Sequence, residues 1–233
     1  MPKMPLQSVP AHVGFIMDGN RRWAREKGMP PMKGHEAGVD AFYTAVRACI
    51  DHGVSYITAY TFSIENWKRA EEEVSFLMAL VPKVLRRYLK EFHKDNIKIA
   101  VLGSREGLSK SVIKAIDEAE ETTKNNTKGT VALCFNYGAR NELLDMIKNA
   151  VHSGADIDKM SPDDTQKYLY HPEIPQCDLV VRVSGEKRLS GFMLPRCEYA
   201  EFIFDDIFWP DVTKEKVVSY LVEYSLRQRR FGA

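Results

Sequence analysis

The chain has 233 residues, of which 44% are hydrophobic, and this length and composition fit one globular domain with a substantial core. Its 33 basic and 32 acidic residues leave a formal net charge of +1, which excludes recognition of nucleic acid by a global positive field. The four cysteines, Cys49, Cys134, Cys177 and Cys197, form no C-x-x-C pair. We therefore expect them to be reduced thiols, as is typical of the cytoplasm.

Residues 1–11 contain no signal-peptide core and are expected to be a flexible lead to a single domain over residues 12–233. No stretch approaches the roughly 20 apolar residues of a transmembrane helix. Six apolar runs follow along the chain, and their near-continuous hydrophobicity is typical of strands covered on both faces. They read HVGFIM, SYITAYTF, IKIAVLG, TVALCFNYG, DLVVRVSG and AEFIFDD.

Helical patterns separate these runs. Apolar residues recur at helical spacing over 35–53, where Gly53 offers a stop, and over 71–95, where Pro82 is expected to kink the helix or end a segment. Further helices are predicted around 109–124, 140–152 and 213–229. This alternation predicts an α/β fold, with a mostly parallel six-stranded sheet flanked by helices.

Ligands of such sheets bind beyond the carboxyl ends of the strands. Five of the six runs end in polar residues, at 18–20, 63–66, 103–105, 136–140 and 182–186. The sequence therefore predicts a binding site at this edge of the sheet.

The first of these strand ends reads MDGNRRW. Gly19 permits a tight turn whose N–H groups can bind an anion, and Arg22 is a bidentate phosphate donor. Asp18 would repel a bare phosphate unless a cation such as Mg²⁺ lay between them, so a metal-bound diphosphate is one interpretation. A helix-capping turn with solvated arginines is the other. A phosphatase is disfavoured, because Asn20 stands where a second aspartate would be needed.

Two later strand ends carry the same kinds of groups. In YTFSIENWKR, Ser63, Asn66 and Arg69 can orient a substrate or bind phosphate, or they can form a capped helix start with Trp67 in the core. In DLVVRVSGEKRLSG, Arg182, Arg188 and Ser190 indicate a second anion site, or a structural pair of Arg182 with Asp178, Glu186 or Glu201.

Together these stretches resemble the cis-prenyltransferase family, typified by undecaprenyl diphosphate synthase, from His12 to Gly232. HVGFIMDGNRRWA…GH…G resembles the first family signature, and YTFSIENWKR resembles the block AFSxENWxRP. FNYGAR resembles NYGGR, and the last long block is matched by DLVVRVSGEKRLSGFML…YAEFIF…WPD. Several ordered blocks are far more specific than any one motif.

The resemblance implies a homodimeric enzyme with an apolar pocket or tunnel. Such an enzyme uses Mg²⁺ to join isopentenyl diphosphate to an allylic diphosphate, such as farnesyl or geranyl diphosphate, and makes a cis-polyprenyl diphosphate. A cytoplasmic location with peripheral membrane contact for product release is expected, with no nucleic-acid partner. The alternative is a non-catalytic partner subunit, which would be expected to lack several of Asp18, Arg22, Asn66 and Glu201.

The resemblance also assigns roles by position. Asp18 would hold Mg²⁺ and help the allylic diphosphate leave, Asn66 would accept or orient the proton, and Glu201 would complete the Mg²⁺ site, from the dimer partner if not from the same chain. The implied substrate-binding residues are Gly19, Asn20, Arg21, Arg22, Trp23 and His35 for the allylic diphosphate, Ser63, Ile64, Glu65, Trp67 and Arg69 around the reacting centre, and Arg182, Arg188, Leu189, Ser190 and Arg230 for isopentenyl diphosphate and the closing terminus.

Some positions depart from the family pattern. Pro31 stands where an arginine for the allylic diphosphate is usual, and Lys33 is the candidate replacement for that charge. Thr61, Met78 and Leu133, expected in the pocket wall, are not uniformly small, which favours short or medium products. The other departures are Ala70, Ala139, Ser184, Gly191 and the pair Pro195-Arg196.

Overall fold

The computed structural model describes residues 8–227, which form a sheet of six strands flanked by helices. The strands are β1 (His12–Ile16), β2 (Tyr56–Ser63), β3 (Ile97–Leu102), β4 (Gly129–Tyr137), β5 (Leu179–Arg182) and β6 (Glu201–Phe204). The α-helices are α1 (Asn20–Glu26), α2 (Pro31–Asp51), α3 (Glu71–Lys94), α4 (Lys110–Thr123), α5 (Ala139–His152) and α6 (Lys214–Ser225). Short 3₁₀ helices lie at Ile64–Lys68, Ile157–Lys159, Pro162–Tyr168, Leu194–Arg196 and Trp209–Asp211.

The strand order is β3-β4-β2-β1-β5-β6, and every neighbouring pair is parallel. The prediction of an α/β fold with a six-stranded sheet is confirmed, and the sheet is entirely rather than mostly parallel. Residue Ile16 of β1 is in register with Arg182 of β5. The carboxyl ends of these two adjacent strands therefore lie side by side.

Alternate residues of each strand enter two separate cores, as the pleat requires. On β4, Val131 and Phe135 belong to the larger core with residues of α2, α3, α4 and α6, whereas Ala132 and Cys134 belong to a smaller core with Phe192. Because both faces are covered, the strands are apolar throughout, which explains the near-continuous hydrophobic runs.

The helix boundaries differ from the predicted ones at three places. Helix α2 begins at Pro31, since a proline fits the first helical position, where no backbone N–H bond is needed. Helix α3 continues through Pro82, so the prediction that this residue could end a segment is wrong. Helix α6 ends at Ser225, and Leu226 and Arg227 are not helical, so the predicted continuation is wrong at these two residues, while residues 228 and 229 lie outside the described part of the chain.

Close packing of α1 on α2 depends on the absence of a side chain at Gly34. A Cβ atom at this position would lie 1.9 Å from the backbone oxygen of Asn20. The glycine therefore allows α1, which the sequence did not predict as a separate helix, to lie directly against the start of α2. This contact fixes the segment that follows β1.

All four cysteines are free and buried. Within residues 8–227, no helix has the length and apolarity needed to cross a bilayer.

Candidate active site

Successive strands are added on one side of β1 up to β4 and on its other side from β5 onward. From β1 the chain continues to β2 on one side, and after β4 it crosses to β5 on the other side of β1. A crevice opens at such a switch point, outside the carboxyl ends of the strands. Here the crevice is bordered by the residues after Ile16 and after Arg182, which are two of the polar strand ends singled out from the sequence.

Asp18 occupies the centre of this edge. Its Oδ2 accepts a hydrogen bond of 3.0 Å from Nη2 of Arg182, and its Oδ1 accepts one of 2.7 Å from the N–H of Gly19. Arg22 approaches Oδ1 to 3.5 Å, and one third of the Asp18 side chain remains exposed. The carboxylate is therefore held in place by two guanidiniums while it still faces solvent. It makes no side-chain cap of α1, so the helix-capping interpretation is wrong.

The turn that follows Asp18 requires a glycine. Gly19 has φ +91°, and a Cβ there would lie 2.6 Å from the ring of Phe208 and 2.9 Å from Oγ of Ser184. Ser184 itself has φ +79° and accepts a hydrogen bond from Nη2 of Arg22. The strained backbone at Ser184 thus places its hydroxyl where it orients Arg22 in the turn.

A polar cleft extends from this turn along α1 and the start of α2. Its lining is rich in guanidinium groups and lacks large apolar side chains apart from two methionines, so it suits a small anion of high charge. The lining consists of Met17, Asp18, Gly19, Asn20, Arg21, Arg22, Arg25, Gly28, Met29, Pro31, His35 and Arg69.

The glutamate Glu73 of α3 lies behind the cleft wall and joins three basic lining groups. Its Oε1 accepts a hydrogen bond of 2.9 Å from Nη1 of Arg69 and lies 3.3 Å from Nε2 of His35. Its Oε2 lies 3.4 Å from Nη1 of Arg21. Burial lowers the pKa of His35 below its usual 6.5, against the opposing effect of Glu73. His35 is accordingly neutral at pH 7 and can donate one hydrogen bond.

An apolar pocket adjoins the cleft and lies between α2, α3 and the sheet. The two cavities share Met17, Asn20 and His35 as lining residues, so the polar and apolar spaces meet at these three side chains. Oδ1 of Asn20 is buried there with no hydrogen-bond partner in the described structure. This oxygen is enclosed by the protein, and a Cβ atom at Gly38 of α2 would lie 2.6 Å from it.

The wall of this pocket is almost entirely aliphatic and aromatic. Thr61 and Leu133 belong to it as expected, whereas Met78 is not among the lining residues. Tyr43, Tyr88 and Phe92 form an aromatic group, in which the first two rings stack with centroids 4.7 Å apart. Tyr43 follows His35 by eight residues on α2, so this group lies about 12 Å along the helix from the junction.

The segment after β2 forms a capped 3₁₀ helix. Oδ1 of Asn66 accepts a hydrogen bond of 3.0 Å from the N–H of Ser63, and the Ser63 side chain caps the other end of this box. Trp67 is 39% exposed, and its Nε1 donates to Oδ1 of Asn136 over 2.7 Å, so this ring is not core filling. The capped helix start is confirmed. Five residues of this segment do not line the cleft, so their substrate roles stay predictions: Ser63, Ile64, Glu65, Asn66 and Trp67.

The segment after β5 is organised by Arg182, which is almost fully buried. Besides Asp18, its guanidinium donates to Oγ of Ser190 over 2.9 Å and to the backbone oxygen of Arg188. Its acidic partner is therefore Asp18, and not one of the three carboxylates nearer in sequence or on the next strand. The Arg188 side chain is exposed and pairs with Glu186, while Leu189 packs against the smaller core.

Two further predicted site residues, Trp23 and Glu201, lie apart from the cleft lining. Trp23 donates to Oδ1 of Asp211 over 2.6 Å. Glu201 pairs with Arg227 over 2.8 Å and is in register with Leu179, three residues before Arg182, so it lies about 10 Å back along the strand direction. A single chain therefore does not bring Glu201 to Asp18. Arg230 lies outside the described residues.

Lys33 does not lie where we expected a replacement for the arginine that is usual at the position of Pro31. Pro31 lines the cleft, but Lys33 does not, and its Nζ pairs with Glu36 at 2.7 Å on the surface. Arg25 also lines the cleft and has no carboxylate partner within residues 8–227. Its position two residues after Trp23 on a short helix gave no signal in the sequence.

Comparison with known proteins agrees with this geometry. The prenyltransferase family profile described as putative undecaprenyl diphosphate synthase matches residues 16–232. The chain belongs to the undecaprenyl diphosphate synthase family. It is a cis-prenyltransferase, so the non-catalytic alternative is set aside.

Curated prenyltransferases align with nearly the whole chain. An isoprenyl transferase of Agrobacterium fabrum is 40% identical over 100% of this chain and 96% of the relative. A trans,polycis-polyprenyl diphosphate synthase of Thermobifida fusca, described as (2Z,6E)-farnesyl diphosphate specific, is 41% identical over 99% of this chain and 83% of the relative. These alignments support catalytic cis-prenyl transfer by this chain.

Solved prenyltransferase structures share the fold. Lavandulyl diphosphate synthase from Lavandula x intermedia, in complex with dimethylallyl diphosphate, superposes with a TM-score of 0.92 at 28% identity over 97% of this chain and 99% of that one. A probable undecaprenyl diphosphate synthase from Campylobacter jejuni gives 0.83 at 29% identity over 97% and 100%.

Proposed function

We propose that this prenyltransferase condenses isopentenyl diphosphate with an allylic diphosphate such as farnesyl or geranyl diphosphate. The observation that carries the proposal is the meeting of the arginine-lined cleft and the apolar pocket at Met17, Asn20 and His35. An allylic diphosphate has the same division, with a highly charged head and an apolar chain. Its diphosphate fits the cleft, and its chain fits the pocket.

The residues of the cleft would make departure of the diphosphate possible. Breaking the allylic C–O bond leaves a carbocation and places further negative charge on pyrophosphate, which Arg21, Arg22 and Arg69 are placed to neutralise. The apolar wall of the pocket keeps water from the cation. Isopentenyl diphosphate would then add from the side of Arg188 and Ser190, with Asn66 as the predicted group that accepts or orients the proton.

The donor set at Asp18 fits Mg²⁺ shared with a substrate. Within residues 8–227, no group of three or more His, Cys, Asp or Glu side chains is placed to hold a metal ion. Mg²⁺ is commonly held by one or two carboxylates together with substrate phosphates, and Asp18 is a fixed, partly exposed carboxylate at the cleft. When bound, the ion would lower the negative charge that develops on the leaving diphosphate.

A homodimer is supported by an apolar stripe on α5. Its side chains are 37–58% exposed and recur at helical spacing, at Leu143, Leu144, Ile147 and Val151. A partner chain could also bring its own Glu201 towards this Asp18, which one chain does not do. Light scattering should show a dimer that Leu144→Glu together with Ile147→Glu dissociates. A wild-type monomer would contradict this assembly.

Release of a medium or long product requires an apolar acceptor, so we expect a cytoplasmic enzyme with peripheral membrane contact. Phospholipid vesicles should then raise turnover with the primer that gives the longest product. Equal turnover with and without vesicles would contradict this part of the proposal.

The function is tested with radiolabelled isopentenyl diphosphate and dimethylallyl, geranyl or farnesyl diphosphate, each with Mg²⁺ or with EDTA. We expect an extended polyprenyl diphosphate from at least one primer, only when Mg²⁺ is present, and mass spectrometry of the product gives its length. Absence of extended product from every primer would overturn the substrate assignment. Equal turnover in EDTA would overturn the Mg²⁺ assignment alone.

A further inference from the structure

Glu73 is a carboxylate placed against the groups that would bind a diphosphate. It is bonded or close to Arg69, Arg21 and His35, all of which line the cleft, whereas Glu73 itself does not. Its side chain is only 12% exposed, so solvent screens its charge less than that of a surface glutamate. A buried negative charge beside an anion site weakens the attraction of that site for anions.

The contacts of Glu73 leave most donors of the two guanidiniums free. Arg69 and Arg21 each approach Glu73 through Nη1, and a guanidinium has five N–H donors. The same arginines can therefore bind a diphosphate while they remain paired with Glu73. The carboxylate then acts on the ligand through them, by orienting the two guanidiniums and by offsetting part of their charge.

We propose that Glu73 is a built-in counter-charge that moderates diphosphate affinity so that pyrophosphate leaves the cleft after each condensation. This inference rests on the proposed function, in which every round of prenyl transfer leaves pyrophosphate beside Arg21 and Arg69. Without the counter-charge, substrate and pyrophosphate would both be held more tightly, and tighter binding of both does not raise the turnover number. Glu73 is thus a positioning residue that lowers the affinity for diphosphates and so allows pyrophosphate to leave.

Glu73→Gln isolates the charge, because the amide oxygen can still accept the hydrogen bond from Arg69. Glu72→Gln is the matched control, since Glu72 is an exposed glutamate in the same first turn of α3 and removes the same formal charge. Calorimetric titration of inorganic pyrophosphate should give about tenfold tighter binding to the Glu73→Gln variant than to wild type. The Glu72→Gln variant should differ from wild type by less than about twofold, because its charge is screened.

Steady-state kinetics give a readout that a merely structural role would not move. For Glu73→Gln we expect the KM for the allylic diphosphate and kcat to fall together, with stronger product inhibition by pyrophosphate. Pyrophosphate binding that is unchanged or weaker in Glu73→Gln than in wild type would overturn the counter-charge. Wild-type protein that makes no prenyl product would instead overturn the proposed function, whatever the ratio of the pyrophosphate affinities.

Discussion

The polar cleft and the apolar pocket share three lining residues and are built in opposite ways. In the cleft, arginines are oriented by carboxylates, Arg22 by Asp18 and Arg69 by Glu73. In the pocket, shape is set by the packing of side chains on α2, α3 and the sheet, and its described lining carries no charged group because His35 near the mouth is neutral.

Because they are built differently, the cleft and the pocket should control different properties of the reaction. Substitutions in the cleft change the charge beside the C–O bond that breaks, so they should alter the rate of reaction and the affinity for diphosphates. Changes in the pocket alter the available volume, so they should act on the length of the product.

Asp18→Asn should have the largest effect. It removes the negative charge that faces the cleft while it keeps an oxygen for Arg182, so we expect kcat to fall about 1000-fold, or about 4 kcal/mol of transition-state stabilisation. Thermal unfolding should show a folded protein. The small amount of product made should have the wild-type length distribution, and a shifted distribution would break the division between cleft and pocket.

Phe92→Ala should change the product and not the chemical step. The ring lies in the aromatic group remote from the cleft, and its removal enlarges the pocket at a cost of about 3 kcal/mol in the free energy of unfolding. Mass spectrometry should show longer products. Leu221→Ala, in the core at α6, is the control for destabilisation alone, and longer products from it as well would contradict the role of the pocket.

Arg25→Gln should raise the KM for the allylic diphosphate about fivefold, because it removes from the cleft a guanidinium that has no carboxylate partner within residues 8–227. Lys33→Gln should leave this KM within about twofold of wild type, since Lys33 is paired with Glu36 outside the cleft. The reverse order of effects would show that Lys33 supplies the charge missing at Pro31.

The smallest expected effect is a shift in the pKa of His35, which lies where the cleft and the pocket meet. Burial lowers its pKa in the free protein, and a bound anion favours the protonated ring, so pyrophosphate should raise this pKa. By linkage, pyrophosphate binds more tightly as pH falls through the raised pKa of the complex, and this gain is complete below the pKa of the free protein. The shift is measurable from the ring signals in NMR spectra, and a pKa unchanged by pyrophosphate would place the anion elsewhere.

Much of the fold could be predicted from the sequence because its strands are covered on both faces. Such strands read as apolar runs, and the polar residues that follow them mark the edge where ligands bind. The start of α2 was missed because Pro30-Pro31 reads equally well as a loop, although a proline at the first helical position is favourable.

The pairings within the site could not be predicted from residue types. The partner of Arg182 is Asp18, 164 residues away, because β1 and β5 are neighbours in a register that brings Ile16 opposite Arg182. Local reasoning favoured the acidic residues closer in sequence. Likewise, Glu73 is one of three consecutive glutamates, and only packing of α3 against α1 and α2 shows which of them faces the arginines.

The central claim is that one ligand spans both regions, with its diphosphate in the cleft and its chain in the pocket. The most direct test is a crystal structure with Mg²⁺ and the thiolodiphosphate analogue of farnesyl diphosphate, whose diphosphate leaves slowly. We predict a diphosphate against Gly19, Arg22 and Arg69, and a chain that passes Met17 and His35 towards Phe92. A chain lying outside the pocket, with the diphosphate still in the cleft, would contradict the account.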